Sequence, residues 1–396
     1  MSVGRASGLR TRPGAAWALV AVLLTAALAG CGRDDRGARA RLTLIETLGG
    51  ADTVGYARAR EPRPFTFPLD HGAHPDFRNE WWYVTGNLTD GAGRRVGFQL
   101  TLFRSALAPA APSTASAWAT NQAWMGHFAV TDEEGGRFRS FQRFARGAVG
   151  LAGARADPLD VRVEDWSLEG SGPGATWPVR LRAADGDVAV DLVLERGKPP
   201  VRQGEDGLSR KGPEPGNASY YYSFTRMPTR GRVVLGADTL QVTGASWLDR
   251  EWSTSALPAG VVGWDWFALQ LGNGWDLMVY ALRRADGSAH ALSSGVLVDP
   301  SGVKRPLAYG TDITVTPTDT WTSPVDGSVY PSGWLVELPG RGWRLDVLPV
   351  LKNQELDLAF RYWEGAVVVS GSDGRGGLGG RGYVELTGYA GALPER

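Results

Sequence analysis

The sequence predicts an all-β protein made of two consecutive β domains. Three observations support this fold class: many turn-forming residues, short segments in which apolar and polar residues alternate, and one hairpin pattern that occurs twice. The 396 residues include 54 glycines, 24 prolines and 16 tryptophans. Short strands separated by Gly, Pro and Asp are typical of an up-and-down barrel or a sandwich.

The first hairpin pattern lies in residues 76–104. Two alternating segments flank residues 90–93, Asp-Gly-Ala-Gly, which form a strong turn signal. In the first segment Trp81 and Tyr83 share one face of the predicted strand, while Trp82 lies on the other face.

The same pattern occurs again in residues 262–283. Its offset from the first copy is 183 residues before the turn and 179 residues after it. Two matched hairpins this far apart indicate a duplicated β domain, and a chance similarity of two hairpins is the alternative. The matched positions are Trp81 and Trp264, Tyr83 and Trp266, and Arg104 and Arg283.

Charge and cysteine content exclude several classes of protein. The formal net charge is zero, and after the first 30 residues 39 basic residues stand against 42 acidic ones. No segment is basic enough to indicate nucleic-acid binding. Cys31 is the single cysteine, which excludes an intramolecular disulfide and an all-cysteine zinc site.

The N-terminus has the pattern of a bacterial lipoprotein signal peptide in residues 1–30. Three arginines precede an apolar run at 15–29 that is short for a membrane span, and the run ends in Leu-Ala-Gly before Cys31. This resembles a lipobox, in which the cysteine becomes acylated. An ordinary secretory signal with a chance cysteine is the alternative. Gly32 follows the cysteine in place of aspartate, and by resemblance to sorted lipoproteins this favours the outer membrane, facing the periplasm.

The remaining chain divides into a tether and two domains. We predict the tether in residues 31–64, because this segment is charged and poor in aromatic residues. The N-terminal β domain is predicted in 65–255 and the C-terminal one in 256–396. Within the first domain, alternation and β-branched residues predict single strands that include 161–169 and 232–242.

The segment Trp-Leu-Asp-Arg-Glu-Trp at 247–252 holds the candidate catalytic residues, Asp249 and Glu251. Hydration of an alkene needs a strong proton donor, and burial in an apolar pocket raises the pKa of a carboxylic acid. Aromatic faces stabilise the resulting carbocation by cation–π attraction. In a strand, Trp247, Asp249 and Glu251 share one face.

Arg250 separates these two acids and leads to a different expectation. Its guanidinium can pair with Asp249 or Glu251 and would then lower the pKa of either carboxyl. A structural arginine–carboxylate pair that joins the two domains is therefore the alternative to catalysis.

Aromatic residues predict an apolar ligand site. They are expected to form either the floor of a ligand cavity or a plug inside a barrel. His127 follows Gly126 within a predicted strand, where it either lines the cavity or is satisfied by packing and one backbone partner. The candidate ligand-binding residues are Glu80, Trp81, Trp82, Tyr83, His127, Trp247, Arg250, Trp252, Trp264 and Trp266.

No metal or cofactor is predicted. His71 and His74 lie in a Gly- and Pro-containing loop and lack the helical spacing of zinc-protease histidines, which favours a loop that covers a barrel mouth. The chain also has no Gly-rich phosphate loop and no Gly-x-Ser-x-Gly motif.

Six motifs spread over nearly the whole chain carry a family resemblance. They are DHGAHPDFRNEWWYVTGNL at 70–88, HFAVTD at 127–132, WLDREW at 247–252, GWDWFALQL at 263–271, YWEGAV at 362–367 and RGYVELTGY at 381–389. The chain resembles the AttH / hydroxyneurosporene synthase family, which includes the carotenoid 1,2-hydratases. The resemblance implies two lipocalin-like barrels packed side by side. The family often has histidine where Arg250 stands, at a position that looks functional in the hydratases.

Three functions remain open. The leading hypothesis is a lipid-anchored protein that binds a hydrophobic lipid or isoprenoid in or between two barrels, held to the membrane by its acyl anchor. The second is a cofactor-free hydratase that adds water to an isoprenoid double bond, although the lipobox weighs against it because carotenoid hydratases are expected at the inner membrane. The third is a structural envelope lipoprotein without a small ligand. The sequence does not identify a protein partner.

Overall fold

The computed structural model describes residues 1–2, 53–254 and 257–390, and its secondary structure is almost entirely β. The described part of the chain contains 25 strands and two 3-10 helices, Leu69–His71 and Pro339–Arg341. Within these ranges, no helix is long and apolar enough to span a bilayer. Cys31, the signal peptide and most of the tether lie outside the described residues.

The first sheet has 13 strands: β1 (Asn79–Asp90), β2 (Arg95–Ala106), β3 (Gln122–Asp132), β4 (Arg137–Arg146), β5 (Ala152–Ala156), β6 (Leu159–Val163), β7 (Trp166–Glu169), β8 (Val179–Asp185), β9 (Val188–Leu194), β10 (Val201–Arg202), β11 (Leu208–Arg210), β12 (Ala218–Leu235) and β13 (Asp238–Ser253). Their order in the sheet is β4-β3-β2-β1-β13-β12-β9-β8-β7-β6-β5, with β10 and β11 also paired to β12. Strand β6 packs across the interior against β2, β3 and β4, so the sheet is a nearly closed barrel.

The second half of the chain contains the strands β14 (Val261–Leu271), β15 (Asp276–Arg284), β16 (Ser294–Val298), β17 (Lys304–Ala308), β18 (Thr314–Pro317), β19 (Thr320–Thr322), β20 (Val329–Pro331), β21 (Trp334–Leu338), β22 (Trp343–Pro349), β23 (Glu355–Asp357), β24 (Arg361–Ser372) and β25 (Gly380–Leu386). The second sheet is a half-barrel with the order β17-β16-β15-β14-β25-β24-β22-β21-β18, and β23 is also paired to β24. Strands β19 and β20 form a separate hairpin.

Each sheet buries a core on its inner face and meets the other sheet with its outer face. In β1, Trp82 and Val84 belong to the core of the first barrel. Tyr83, on the other face of the same strand, packs against Trp266 and Tyr383 of the second barrel. Period-two alternation thus gives β1 two buried faces, and the predicted pair of lipocalin-like barrels packed side by side is confirmed.

The internal repeat is visible in strand order and register. The nine strands from β4 to β7 in the first sheet occur in the same order as the nine from β17 to β18 in the second. Trp81 lies opposite Phe103, the residue before Arg104, and Trp264 lies opposite Leu282, the residue before Arg283. The two hairpins therefore have the register that the repeat predicted.

Two strand predictions in the first domain were wrong because each crossed a turn. Residues 161–169 form part of β6 and β7, which are separated by a turn at Glu164, whose φ of 57° is left-handed. Residues 232–242 span the end of β12 and the start of β13, with the turn at Gly236, where φ is 65°. The turn at Glu164 carries no glycine, so composition did not signal it.

The described end of the predicted tether, residues 53–64, packs on the first barrel. Ala59 is fully buried in its core, and the Tyr56 hydroxyl donates a hydrogen bond to the Ala106 carbonyl at 2.9 Å. This part of the chain therefore differs from a free linker. The boundary predicted between residues 255 and 256 falls in the undescribed gap and stays a prediction.

Candidate active site between the two barrels

Strand β13 sends the residues of the predicted catalytic segment to opposite faces. Trp247, Asp249 and Glu251 point towards the second barrel, as the alternation predicted, and Trp247 belongs to the cluster that joins the two sheets. Trp252 and Arg250 point into the first barrel. The ten candidate ligand-binding residues are divided in the same way, so the structure does not bring them into one site.

The inward-pointing residues form a buried ion cluster at one end of the first barrel. Glu80 is fully buried between the guanidinium groups of Arg104 and Arg250, and the backbone NH of His74 donates to it at 3.0 Å. Burial would raise the pKa of Glu80, but Arg250 and the neighbouring cations outweigh it and hold the pKa far below its usual range. The guanidinium carbon of Arg250 also lies 3.8 Å from the ring centroid of Trp82. The charges of this cluster are thus buried at the barrel end beside aromatic side chains.

The expectation that Arg250 pairs with Asp249 or Glu251 was wrong. Its side chain contacts Glu80, the Gly72 carbonyl and the Glu251 backbone carbonyl, all on the inner side of the strand. Neighbouring residues of a strand face opposite sides, so Arg250 cannot reach the carboxyl groups on either side of it. The acids of the outer face are left without this arginine.

The histidines of the 70–76 loop are also bound to this barrel. The Nδ1 atom of His71 lies 2.6 Å from the Tyr222 hydroxyl, and the ring of His74 stacks on Trp252 at 3.8 Å. His74 Nε2 lies 3.1 Å from Asp70. The loop closes the barrel end through these contacts, in agreement with its predicted covering position.

A cavity of about 20 Å³ inside the first barrel is lined by residues that include His71, Trp82, Trp177 and Tyr222. That volume holds about one water molecule. It is far too small for an isoprenoid or a lipid chain.

Asp249 is one of three carboxyl groups whose pKa is raised by burial at the interface between the two barrels. Its oxygens accept hydrogen bonds from the Tyr221 hydroxyl at 2.6 Å, the Ser223 hydroxyl at 2.5 Å and Trp247 Nε1 at 2.7 Å. Burial raises the pKa of Asp249 to about 7 even though these three donors oppose the shift. The group therefore changes its protonation state near neutral pH.

The other two carboxyl groups, Glu364 and Glu385, come from the second barrel and lie opposite each other on β24 and β25. Burial and the neighbouring Glu385 raise the pKa of Glu364 well above its usual range, and the Tyr83 and Tyr362 hydroxyls only partly oppose this. Burial likewise raises the pKa of Glu385 to about 7, against a hydrogen bond of 2.6 Å from Trp264 Nε1.

Several polar atoms around Glu364 have no hydrogen-bond partner in the described part of the chain. They are both carboxyl oxygens of Glu364, the Tyr83 hydroxyl and His127 Nε2, and all are buried. The other ring nitrogen of His127 lies 2.9 Å from the Tyr362 hydroxyl, and burial lowers the pKa of His127 to about 3. An uncharged histidine and an unbonded carboxyl group are costly to bury without a partner, which is typical of a site that receives a ligand or water.

Aromatic residues from both barrels surround these groups. The ring centroids of Tyr83 and Trp266 are 5.2 Å apart, and those of Trp247 and Trp266 are 6.2 Å apart. Trp81 and Trp264 are partly exposed and pack on Phe103, Met125 and Phe360. Six of the ten predicted ligand-binding residues therefore lie at this interface: Trp81, Tyr83, His127, Trp247, Trp264 and Trp266.

Glu251, the second candidate acid, lies at the edge of this group. Its carboxylate is 3.0 Å from Lys211 Nζ, which also lies 5.2 Å from the ring centroid of Tyr280. A cationic partner favours the ionised form of a carboxyl group, and that form has no proton to donate. Asp249 and Glu364 are therefore better placed for acid chemistry.

Glu364 and Glu385 were not among the predicted site residues, although both lie in motifs that supported the family resemblance. The repeat could have found Glu385, because Asp249 lies opposite Tyr83 and Glu385 lies opposite Trp266, the repeat equivalent of Tyr83. For Glu364 the available signal is an acid within the apolar segment Tyr-Trp-Glu-Gly-Ala-Val. Burying such a residue in a strand costs solvation free energy, so its presence there indicates a structural or functional role.

The raised pKa of Asp249 predicts a specific pH dependence of stability. Asp249 binds its proton more tightly in the folded than in the unfolded protein, so its contribution is full below pH 3.8 and is lost as the pH rises towards about 7. We expect the free energy of unfolding to fall more steeply over this range in the native protein than in Asp249→Asn, measured by urea denaturation. The exposed substitution Asp346→Asn is the control and should keep the native slope. Equal slopes in all three proteins would contradict the assignment.

Comparison with known proteins agrees with this architecture. Residues 58–389 match the AttH-like family. An AttH protein from Nitrosomonas europaea has 36% sequence identity, and the match covers 84% of this chain and 100% of that chain with a TM-score of 0.73. No curated protein is detectably similar in sequence.

Two more distant structures share the fold. Kievitone hydratase from Nectria haematococca has 15% identity and a TM-score of 0.64, with coverage of 85% of this chain and 97% of that one. CghA in complex with Sch210972 has 13% identity and a TM-score of 0.51, with coverage of 87% and 97%. At these identities the similarity establishes the fold alone.

Proposed function

The chain belongs to the AttH-like family, and from this premise we propose that it is a cofactor-free hydratase whose acid–base site lies between the two barrels. The proposed substrate is a hydrophobic molecule with an isoprenoid-type double bond. One of the distant structures with this fold is a hydratase, which is consistent with the proposal.

The observation that carries the proposal is the state of Glu364. Its carboxyl group is buried, has a raised pKa and lacks a hydrogen-bond partner among the residues the structure describes. A raised pKa favours the protonated form of a carboxyl group, and a carboxylic acid is the donor that alkene protonation requires. Pairing of Arg250 with Asp249 or Glu251 would have weighed against acid catalysis. Arg250 instead pairs with Glu80 on the opposite face of β13.

The proposed reaction has two steps. Glu364 transfers its proton to one alkene carbon, the π electrons form the new C–H bond, and the other carbon becomes a carbocation. The ring faces of Trp264 and Trp266 stabilise that cation. Water then forms the C–O bond and gives a proton to a second carboxylate, Asp249 or Glu385, which restores the charge balance of the site. His127, held neutral, is placed to orient the water through its free ring nitrogen.

The lining of the interface supports an apolar substrate. The two clusters of buried hydrophobic residues between the barrels consist of Trp, Tyr, Phe, Met, Val and Ala side chains. Binding sites for apolar molecules are lined in this way, with few polar groups that fix orientation.

The proposal can be tested before the substrate is identified. The purified protein is incubated with an apolar extract of its own host membranes in water labelled with heavy oxygen, and products are identified by mass spectrometry. We expect a protein-dependent product that carries one labelled oxygen. If instead an unmodified apolar molecule copurifies with the protein and no label is incorporated, the protein is a binding protein and the hydratase proposal is wrong.

We also propose that the protein is anchored to the membrane through Cys31 and faces the periplasm from the outer membrane. The support is the lipobox-like sequence around the single cysteine and the glycine that follows it. Two or three acyl chains hold a folded domain stably on a bilayer, whereas one chain alone is marginal.

Cys31→Ser should release the protein from membranes into the soluble fraction of native cells, because it removes the acylated residue. The measurement is immunoblotting of membrane and soluble fractions after a high-salt wash. Gly32→Ser keeps the cysteine and should remain with the membrane. Retention of Cys31→Ser in the membrane fraction would rule out the acyl anchor.

A further inference from the structure

Exposed apolar side chains are concentrated at one end of the first barrel. The end of β2, the start of β3 and the end of β4 lie side by side there. Two hydrogen bonds connect them: Leu107 NH donates to the Asn121 carbonyl at 2.7 Å, and Gly147 NH donates to the Gln122 carbonyl at 2.9 Å. The exposed apolar residues of this end are Val54 (82%), Leu107 (72%), Trp118 (56%), Phe144 (54%) and Val149 (49%). We call these five residues the apolar end.

The two ends of the same strands differ in charge. The loop between β2 and β3 belongs to a segment, residues 105–126, that contains no charged side chain. At the opposite end, the turns after β1 and β3 carry Arg94, Asp132 and Glu134, and Arg94 pairs with Asp132 at 2.8 Å. A water-exposed loop seldom lacks charge over such a length while it presents a tryptophan and a leucine, so the apolar end is suited to a non-aqueous partner.

The chemistry of this end fits a lipid bilayer. Tryptophan is favoured at the membrane–water interface because its ring is apolar and its NH stays hydrated. Apolar side chains on a loop strengthen membrane binding in proportion to the area they bury. Arg146, exposed at the end of β4, adds a cation suited to anionic lipid headgroups.

The path of the chain leads to the same end. The described N-terminal segment starts at Thr53, and Gly55 packs so closely on Pro109 of the β2–β3 loop that a Cβ there would lie 2.9 Å from the proline ring. Tyr56 is bonded to Ala106 of the same loop. The described segment that begins at Thr53 therefore joins the barrel beside the apolar end.

We infer that the apolar end docks on a lipid bilayer and holds the first barrel against the membrane surface. A ring path connects it with the interface site: exposed Phe144 lies 6.5 Å from Phe360, and Phe360 lies 6.5 Å from His127, measured between ring centroids. An apolar substrate dissolved in the bilayer would enter along this path. That last step rests on the proposed function, whereas the docking surface does not.

The test compares two labelled positions in the full chain with Cys31→Ser, so that each protein has one cysteine. Leu107→Cys places an environment-sensitive fluorophore at the apolar end, and Val303→Cys, with 55% exposure in a turn of the second barrel, is the matched control. Both proteins are produced without export, so that the leader of residues 1–30 is not cleaved and brings both equally to vesicles of phosphatidylethanolamine and phosphatidylglycerol. We expect a blue shift, and a loss of emission with brominated acyl chains, at position 107 and not at position 303.

Trp118→Cys provides a second label position in case the first variant folds poorly. Equal responses at the apolar end and at position 303, or no response at either, would overturn the inference. A shift without vesicles that grows with protein concentration would also overturn it, because the apolar end would then bind a second copy of the chain. Because the readout is fluorescence, a negative result leaves the hydration assay and the proposed function untouched.

Discussion

Glu364→Gln should abolish water addition while the protein stays folded. The amide has nearly the same shape but cannot release a proton, and general acid catalysis contributes about a hundredfold to ten-thousandfold to the rate. Its stability should change little, because glutamine keeps the shape of the side chain and the raised pKa of Glu364 already disfavours the charge that the substitution removes. The measurement is incorporation of labelled oxygen, with circular dichroism melting as the test of folding.

Two comparisons make this result specific. Asp249→Asn and Glu385→Gln should each reduce the rate by less than Glu364→Gln, because one carboxylate remains to accept the proton from water. Glu337→Gln, which changes a carboxylate on β21 paired only with Arg344 at the surface, should leave the rate unchanged. A folded Glu364→Gln protein that incorporates label at the native rate would remove Glu364 from the mechanism.

Glu80→Gln should destabilise the first barrel by about 3–5 kcal/mol, because it leaves two buried guanidinium groups without their carboxylate. Arg104 and Arg250 are both almost completely buried, so water cannot replace Glu80. The measurement is the free energy of unfolding from urea denaturation near neutral pH, monitored at the tryptophans of this barrel.

The exposed pair of Glu337 and Arg344 again supplies the control. A guanidinium nitrogen of Arg344 lies 2.6 Å from a carboxylate oxygen of Glu337, but the Arg344 side chain is 65% exposed. Glu337→Gln should therefore change the free energy of unfolding by less than about 1 kcal/mol. If Glu80→Gln is no more destabilising than this surface substitution, the buried cluster does not hold the barrel end together.

The fold was predictable from local pattern because strand pairing follows from it. The alternation around residues 90–93 and its second copy predicted both hairpins, their register and the duplication. The six motifs predicted the family, which is confirmed by the match over residues 58–389. Turn positions were less predictable, since Glu164 adopts a left-handed conformation that its residue type does not announce.

The partners of the charged residues were not predictable in the same way. Sequence proximity suggested that Arg250 pairs with Asp249 or Glu251, whereas its carboxylate partner, Glu80, is 170 residues away. Alternation does show that neighbours in a strand face opposite sides, but it does not identify what lies on each side. That depends on which strand pairs with β13, and here it is β1.

The sequence by itself therefore determined the all-β class, the repeat and the face on which each residue of a strand lies, because these follow from period-two geometry within short segments. Only the tertiary structure decided which acids are removed from water. Asp249, Glu364 and Glu385 acquire raised pKa values because the outer faces of two sheets cover each other. Desolvation depends on everything that packs around a group, including residues more than a hundred positions away, and no local pattern records it.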